Sequence, residues 1–398
     1  KSTIRETHDC ALGTMGAIGQ KVANQKITSA DVILAVGSSL APDNTKWLSP
    51  EFIDPTRQKI MQIDIESRNA AWTFPVEIGI TSDAKLALQA IIRGIRARGV
   101  SYDVGERIES LKKAKLEADC FAEEIINSDQ TPIAPERVVK EVNAILDEDD
   151  LLVLDGGNNR MWFTHHFQCK KPGQVLAGGG VAAIGYGPPA ALAAQIIHPE
   201  SRVICACGDG GRMMHHYALE MARDLQLPVT FVVLNNSCLG NVRDFLAADR
   251  RMATEYSEPD FARIAQGFSL NSVRVEDVQR FAFSGDGTHL AYLKYAPEDA
   301  ERGVGQVLLV RELATGTEIH FGNVGDFAWA HEGHLLALTI SASGEEGNGV
   351  QLFDPSSGQL RVLDSENTTY EGLTWREDGA DLALFKADPD PLFADTAY

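Results

Sequence analysis

The chain has 398 residues, enough for two or three domains, and its hydrophobic content of 44% is ordinary for globular proteins. Its net charge of −20 argues against nucleic acids and anionic membranes as partners. No apolar run is long enough for a transmembrane helix. The chain starts at Lys1 with no methionine or signal peptide, so we expect a fragment at the amino-terminal end.

The six cysteines follow neither the spacing of a zinc site nor that of a disulfide framework. Cys205 and Cys207 lie in one apolar run, where alternate residues of a strand face opposite sides, and we interpret both as core residues. Free cysteines of this kind suit a reducing compartment, which predicts a cytoplasmic protein.

Residues 1–97 predict a first α/β domain. Apolar runs at 31–37 and 59–65 are typical of buried strands, and residues 83–92 have helical spacing with Asp83 as a suitable N-cap. Gly37, Ser38 and Ser39 form a turn after the first strand. A bound ligand and ordinary turn chemistry explain this turn equally well.

Residues 98–131 are rich in Glu and Lys and predict a solvated, helical linker. A second domain, residues 132–277, then opens with a helix predicted to run to about Leu146. Its first strand, 151–155, ends in a polar turn that contains Asn158 and Asn159. Both asparagines are candidate ligand contacts, although surface turn residues of this composition are a comparable alternative.

The stretch from Arg202 to Gly240 predicts a strand, a helix and a second strand. Val203 to Cys207 is a short apolar run, a helix is predicted to continue to about Gln226, and a second run ends before Asn235. A crossover between parallel strands places both polar strand ends at one edge of the sheet. Ligands bind at that edge in open α/β sheets.

Residue chemistry at this edge favours a metal-bound phosphate. Asp209 offers a carboxylate and Asn236 an amide carbonyl, and both are hard oxygen donors suited to Mg²⁺. Gly208, Gly210 and Gly211 let the backbone approach a phosphate closely, and the start of a helix favours an anion. The residues therefore predict a site for a metal-bridged diphosphate, with an ordinary strand–helix–strand unit as the alternative.

Gly208-Asp209-Gly210 followed by Asn235-Asn236 resembles the signature of thiamine diphosphate (ThDP) enzymes, in their acetolactate-synthase-like branch. Asp209 and Asn236 are 27 positions apart, which matches that family's spacing. The resemblance implies that both residues ligate Mg²⁺, together with the backbone carbonyl of Cys238. The glycines around Asp209 would then contact the diphosphate.

The resemblance extends to residues 178–189, which are similar to the family's glycine-rich segment before a helix. It implies that Ile184 wedges between the two rings of ThDP and that the carbonyl of Ala182 accepts a bond from the 4′-amino group. Asn158 and Asn159 would lie over the diphosphate. Ile184 as a simple core residue is the alternative. Gly178, Gly180 and Ala183 also fit a dinucleotide fingerprint, but the acidic residue that this fingerprint requires is not at the end of the next strand.

Residues 1–97 resemble the family's central domain, which binds FAD or another nucleotide in some members and nothing in others. We do not expect FAD here, although the turn at Gly37 would accommodate a ligand. Four histidines, at 165, 166, 215 and 216, are interpreted as helix-surface or packing residues rather than acid–base catalysts.

A repeat begins near residue 278, where the charge also shifts: residues 278–398 carry 7 basic and 20 acidic residues. The segments 281–293, 327–339 and 373–385 are alike, and both intervals between their starts are 46 residues. Each segment is a strand, a turn and a second strand. A period of this length is typical of propeller blades.

These repeats resemble the propeller of prolyl-oligopeptidase-like (S9-type) proteins. Two to three blades are too few to close a ring, and no G-x-S-x-G nucleophile motif occurs in the sequence, so the resemblance implies no peptidase activity. We interpret the junction near residue 278 as a fusion of two incomplete modules. Sequencing the native locus across residue 278 would test this.

The predicted fold class is α/β: two doubly wound parallel-sheet domains, the second truncated, followed by a partial antiparallel β-propeller. The resemblance implies decarboxylation of a 2-oxo acid and transfer of the remainder to a second carbonyl, as a lyase or transferase with ThDP and Mg²⁺. The family's catalytic glutamate would lie on a pyrimidine domain absent from this sequence, so we expect little turnover. A homo-oligomer or a partner chain is expected. The alternative is a non-catalytic scaffold that uses its blades as a contact surface.

Overall fold

The computed structural model describes residues 1–99, 103–128, 130, 132–275, 278–294, 303–376, 379 and 381–387. Among these residues no helix is long and apolar enough to cross a bilayer. Two predicted features lie partly outside this set. The linker 98–131 includes residues 100–102, 129 and 131, and the turn of the third repeat includes 377, 378 and 380. Residues 276 and 277, at the predicted junction, also lie outside it.

The first region is a parallel three-stranded sheet with helices. Its elements are α1 (Lys21–Ser29), β1 (Val32–Val36), β2 (Lys59–Asp64), β3 (Ile78–Thr81) and α2 (Ala84–Ala97). The sheet order is β1-β2-β3. Asp83 caps α2 as predicted, since its side chain accepts a hydrogen bond from the Leu86 N–H at 3.0 Å. Helix α3 (Gly105–Glu117) lies within the predicted linker.

The second region is a parallel four-stranded sheet. Its elements are α4 (Pro135–Ile145), β4 (Leu151–Leu154), α5 (Asn158–His166), β5 (Val175–Ala177), α6 (Gly187–Ile197), β6 (Val203–Gly208), α7 (Asp209–Met214), α8 (Tyr217–Asp224), β7 (Val229–Leu234), α9 (Gly240–Arg243) and α10 (Phe261–Gly267). The order is β5-β4-β6-β7. One core packs α4 and α5 against the sheet, and a second packs α6 against its other face.

The single helix predicted after Gly211 was wrong, because the chain breaks between α7 and α8 at His215. Arg212 contacts the chain at this break. Its guanidinium is buried, lies 5.1 Å from the centre of the Phe231 ring, and donates to the carbonyl of His215 at 2.8 Å. The Ala218 N–H donates to the same carbonyl at 3.1 Å, so the Arg212 side chain and the start of α8 share it.

The third region is antiparallel. Its strands are β8 (Val278–Phe283), β9 (His289–Lys294), β10 (Gln306–Glu312), β11 (Glu318–Trp329), β12 (Leu336–Ile340), β13 (Gly349–Asp354), β14 (Gln359–Asp364), β15 (Thr369–Trp375) and β16 (Leu382–Ala387). Strands β8 to β14 form one seven-stranded sheet in chain order, and β15 pairs with β16. Strand β11 belongs to two halves of this sheet: residues 318–321 pair with β10, and residues 326–329 pair with β12.

The 46-residue period has a structural counterpart in this region. The indole N–H of Trp329 donates to the carbonyl of Ala282, and that of Trp375 donates to the carbonyl of Ala328, both at 3.0 Å. Donor and acceptor each advance by 46 residues from one bond to the next. The sequence repeat is therefore also a repeat of contacts between successive strand pairs.

Candidate functional site

Asp209 and Asn236 lie together at the carboxyl edge of the parallel sheet. Strands β6 and β7 pair so that Gly208 is opposite Leu234, and both candidate ligands follow directly. The backbone N–H of Asn236 donates to Asp209 Oδ2 at 3.1 Å. The crossover expected from the sequence therefore brings the two residues into contact.

The Asp209 carboxylate is 3% exposed, although carboxylates are rarely buried alone. Its Oδ1 accepts the N–H of Gly210 at 2.7 Å, and the ion pairs of the described residues include no basic partner for it. Burying one charged group without a partner costs on the order of several kcal/mol, and a bound cation would offset that cost. This donor set therefore fits a hard divalent cation such as Mg²⁺.

Asn236 lies close to both Asn158 and Cys238. A side chain at Gly240 would come within 2.9 Å of the amide nitrogens of both Asn158 and Asn236, so these amides converge over the glycine. The Asn236 Oδ1 accepts the N–H of Cys238 at 3.3 Å. Burial raises the pKa of the Cys238 thiol, which disfavours the thiolate form that binds metal ions.

The two asparagines of the polar turn occupy different places. Asn158 lies at the rim of the site, where its amide donates to Asp244 Oδ2 at 3.1 Å. Asn159 is buried and donates to the carbonyls of Asp155 and Ala206, at 3.3 and 3.2 Å, which ties the end of β4 to β6. Because the amide N–H groups of Asn159 face these carbonyls, only its side-chain oxygen could contact a ligand. The contact of Asn159 with a diphosphate remains a prediction.

The loop before α6 covers the glycines. A Cβ at Gly156 would lie 2.6 Å from the carbonyl oxygen of Ala182, and Ala182 itself has a left-handed φ of 52°. A Cβ at Gly210 would lie 3.3 Å from Ile184 Cδ1. Close approach of the loop backbone therefore requires glycine at position 156, whereas the Ile184 contact at Gly210 involves only a side-chain end.

All predicted cofactor and metal residues line one cavity of about 1770 Å³. These residues are Asn158, Asn159, Ala182, Ile184, Gly208, Asp209, Gly210, Gly211, Asn236 and Cys238. The cavity continues along β7 to α10 and the start of the antiparallel region. The space is large enough for a cofactor of two rings and a diphosphate.

Sequence reasoning missed Asp155, which lies next to this site and packs against Gly211. Its side chain is fully buried, Oδ1 accepts the N–H of Gly187 at 3.1 Å, and Oδ2 has no hydrogen-bond partner. A Cβ at Gly211 would lie 1.7 Å from Oδ2, so the carboxyl group packs against the glycine backbone. Burial raises the pKa of Asp155. The sequence contained one signal for this residue: Asp155 directly follows β4, as Asp209 directly follows β6.

Tyr256 was also missed. Its hydroxyl would lie 3.2 Å from a Cβ at Gly210, on the side of Ile184. Burial, and then the Asp209 carboxylate, raise the pKa of this hydroxyl, which is buried and has no hydrogen-bond partner among the described residues. No spacing pattern links Tyr256 to Asp209 in the sequence.

Comparison with known proteins agrees with this geometry. Residues 1–91 match the family described as thiamine pyrophosphate enzyme, central domain. Residues 155–291 match thiamine pyrophosphate enzyme, C-terminal TPP binding domain, so this match runs past the predicted junction near residue 278.

Relatives with curated descriptions match about two thirds of the chain. A probable acetolactate synthase large subunit of Methanocaldococcus jannaschii is 30% identical over 290 residues, which is 69% of this chain and 47% of the relative. Its counterpart in Methanococcus aeolicus is 29% identical over 296 residues, covering 69% and 48%. The acetolactate synthase isozyme 3 large subunit of Escherichia coli is 28% identical over 280 residues, covering 68% and 47%.

The chain spans about half the length of these curated relatives. Its first and second regions nevertheless match two consecutive domains of one enzyme family, in the order in which they occur here. The chain therefore contains a central domain and a C-terminal TPP-binding domain of the thiamine pyrophosphate enzyme family.

Proposed function

We propose that this chain binds ThDP through a Mg²⁺ ion held by Asp209, Asn236 and the backbone carbonyl of Cys238. The single observation that carries the proposal is the Asp209 carboxylate, buried without a basic partner among the described residues and in contact with Asn236 at the mouth of a cavity. A divalent cation bridged to a diphosphate would compensate that charge.

Bound ThDP would supply the electron sink for decarboxylating a 2-oxo acid and joining the remainder to a second carbonyl. The residues of this chain would bind and orient it. Gly210 permits a phosphate to approach the backbone, Ile184 projects into the cavity and would hold the two rings at an angle, and the Ala182 carbonyl would accept from the pyrimidine amino group.

Calorimetric titration with ThDP and Mg²⁺ tests this proposal. We expect binding that requires Mg²⁺, and at least a ~10-fold loss of affinity in Asp209→Ala, since charge-assisted ligand contacts are worth more than about 1.4 kcal/mol. Asp224→Ala is the matched control, because Asp224 is an exposed carboxylate paired only with its neighbour Arg223. A wild-type chain that binds no ThDP would contradict the proposal and favour the scaffold alternative.

We also propose that turnover requires a pyrimidine-binding domain from outside these 398 residues. The parallel sheet of the first region leaves Val32, Leu34 and Ile78 between 43% and 52% exposed, whereas parallel sheets are normally covered on both faces. Another part of the assembly would cover them. Decarboxylation of pyruvate by this polypeptide alone should stay near background, and vigorous release of CO₂ would contradict this.

For residues 278–398 we propose two to three blades of a propeller of the S9 type, joined to the ThDP domains. Two features support this: the division of β11 between two strand sets and the equivalent indole bonds of Trp329 and Trp375. The blades contact the second region, because Arg202 donates to the carbonyl of Asp286 at 2.8 Å. Limited proteolysis tests the proposal, and it predicts one protected fragment that contains both regions.

A further inference from the structure

Three metal-binding side chains meet beside the parallel sheet, apart from the residues assigned to ThDP. His165 and His166 end α5, and Glu123 comes from the linker 42 residues earlier. His165 Nε2 lies 2.9 Å from Glu123 Oε1, and His166 Nδ1 lies 3.6 Å from Glu123 Oε2. The three candidate ligand atoms lie within 4.8 Å of one another.

The bonding of His165 fixes which nitrogen can act as a ligand. Its Nδ1 lies 3.1 Å from the carbonyl oxygen of Ile18, which can only accept, so Nδ1 carries a proton. In the neutral ring the lone pair is then on Nε2 and faces the Glu123 carboxylate at 2.9 Å. Two acceptors at this distance repel unless a proton or a metal ion lies between them.

His166 adds an independent observation. Its side chain is 7% exposed, and its Nδ1 is buried with no hydrogen-bond partner. A buried ring nitrogen without a partner is costly, and this one is aimed at Glu123. The ammonium of Lys1, which acts electrostatically on His166, is paired with Glu6 at 2.7 Å.

We propose that Glu123, His165 and His166 form a Zn²⁺ site with a water molecule as fourth ligand. Ligand atoms about 2.05 Å from a tetrahedral Zn²⁺ are about 3.3 Å apart, close to the 2.9 Å and 3.6 Å that separate the two histidine nitrogens from the two different oxygens of Glu123. The bond from His165 Nδ1 to a backbone carbonyl is the outer contact that metal-bound histidines usually make. Two imidazoles and one carboxylate favour zinc over Mg²⁺, which prefers oxygen ligands.

The site would connect three parts of the chain. Glu123 belongs to the linker and the histidines to the second region. Ile18 belongs to the first region, where Gln20 also donates to the carbonyl of His165 at 2.7 Å. A bound ion would therefore hold the central domain, the linker and the TPP-binding domain together, independently of the cofactor.

Zinc titration of the metal-stripped chain against a chromophoric chelator tests the proposal. We expect one equivalent to bind, with at least a ~10-fold loss of affinity in both Glu123→Gln and His165→Gln. Glu123 is a third exposed and glutamine has the same shape, so this variant should fold. Co²⁺ in place of zinc should give the intense visible absorption of a tetrahedral site in the wild type and not in the variants.

His198→Gln, an exposed histidine outside the cluster, and Cys10→Ser, an exposed thiol, are the matched controls and should retain the one equivalent. Asp209→Ala should lose ThDP and keep zinc, which separates this site from the magnesium site. Failure of the wild-type chain to bind one equivalent, or equal affinity in the wild type and both cluster variants, would overturn the proposal in favour of a simple His165–Glu123 ion pair.

Discussion

The parallel sheet of the second region and the antiparallel sheet that follows it both bury polar side chains, but these side chains are satisfied differently. In the antiparallel sheet, Ser284 accepts the N–H of His289 at 2.9 Å, and Thr339 accepts that of Asp326 at 2.8 Å. In the parallel region, Asp155 Oδ2 lacks a partner and Asp209 lacks a counter-ion among the described residues.

This difference separates structural polar groups from groups positioned to bind a ligand. Side chains that complete backbone hydrogen bonds stabilise strand pairs and need nothing else. A buried carboxylate that lines a cavity without a counter-ion, as Asp209 does in the described part of the chain, is typical of binding sites, and Asp155 packs against the neighbouring Gly211. The following predictions test that distinction, from the largest expected effect to the smallest.

Gly211→Ala should be the most disruptive change. The new Cβ would lie 1.7 Å from the Asp155 Oδ2, and the Asp155 side chain is fully buried. We expect a loss of about 3 kcal/mol in the free energy of unfolding, measured by urea denaturation. The double variant with Asp155→Ala should recover part of this loss. If Gly211→Ala is neutral, Asp155 does not pack as described.

Trp329→Phe and Trp375→Phe should each cost about 1 to 2 kcal/mol, because each leaves a carbonyl without its donor in a buried contact. Similar losses are expected from the two variants if successive strand pairs are equivalent. Trp47→Phe is the control, since Trp47 is 75% exposed and should change stability by less than about 0.5 kcal/mol. Very unequal losses from the two variants would argue against structural equivalence.

Asp286 should make the antiparallel region sensitive to acid. Burial raises the pKa of Asp286, but hydrogen bonds from Ser284 and Thr288 outweigh it, and the net pKa is well below the ordinary value. Because the native pKa is depressed, its stabilisation is present above about pH 4 and is lost as the pH falls further. Asp286→Asn should lower the melting temperature at pH 7, and its difference from the wild type should narrow toward pH 2. A constant difference would contradict this.

Gly94→Ala should have the smallest effect and the opposite sign. Gly94 lies inside α2, and a Cβ there would meet nothing within 4 Å. The substitution should stabilise the chain by about 0.5 to 1 kcal/mol in the same urea assay, since alanine favours helix. This variant also serves as the steric control for Gly211→Ala.

The sequence predicted the parts of the fold that depend on local patterns. Runs of apolar residues located β6 and β7, Asp83 was identified as a helix cap, and the spacing of Asp209 and Asn236 followed from one crossover. These features involve neighbours along the chain or adjacent strands. The apolar periodicity of such elements and the residues at their ends are therefore enough to predict them.

Features that depend on distant contacts could not be predicted. The packing of Arg212 on Phe231 joins two separate elements, and the two hydrogen bonds of Asn159 join ends of separate strands. The approach of Glu123 to His165 joins residues 42 positions apart in different elements. No spacing rule in a single sequence encodes such pairs, because tertiary packing decides them.

Strand β11 has a consequence for how the antiparallel region unfolds. Its residues 318–321 pair with β10 and its residues 326–329 pair with β12, and no loop separates the two sets. The two sets meet at Val324, which pairs with Gln306 of β10 and with Ile340 of β12, so detaching either set disturbs a residue that the other set also pairs with. We expect residues 306–364 to open as one cooperative unit, with uniform hydrogen-exchange rates across both sets rather than two independent steps.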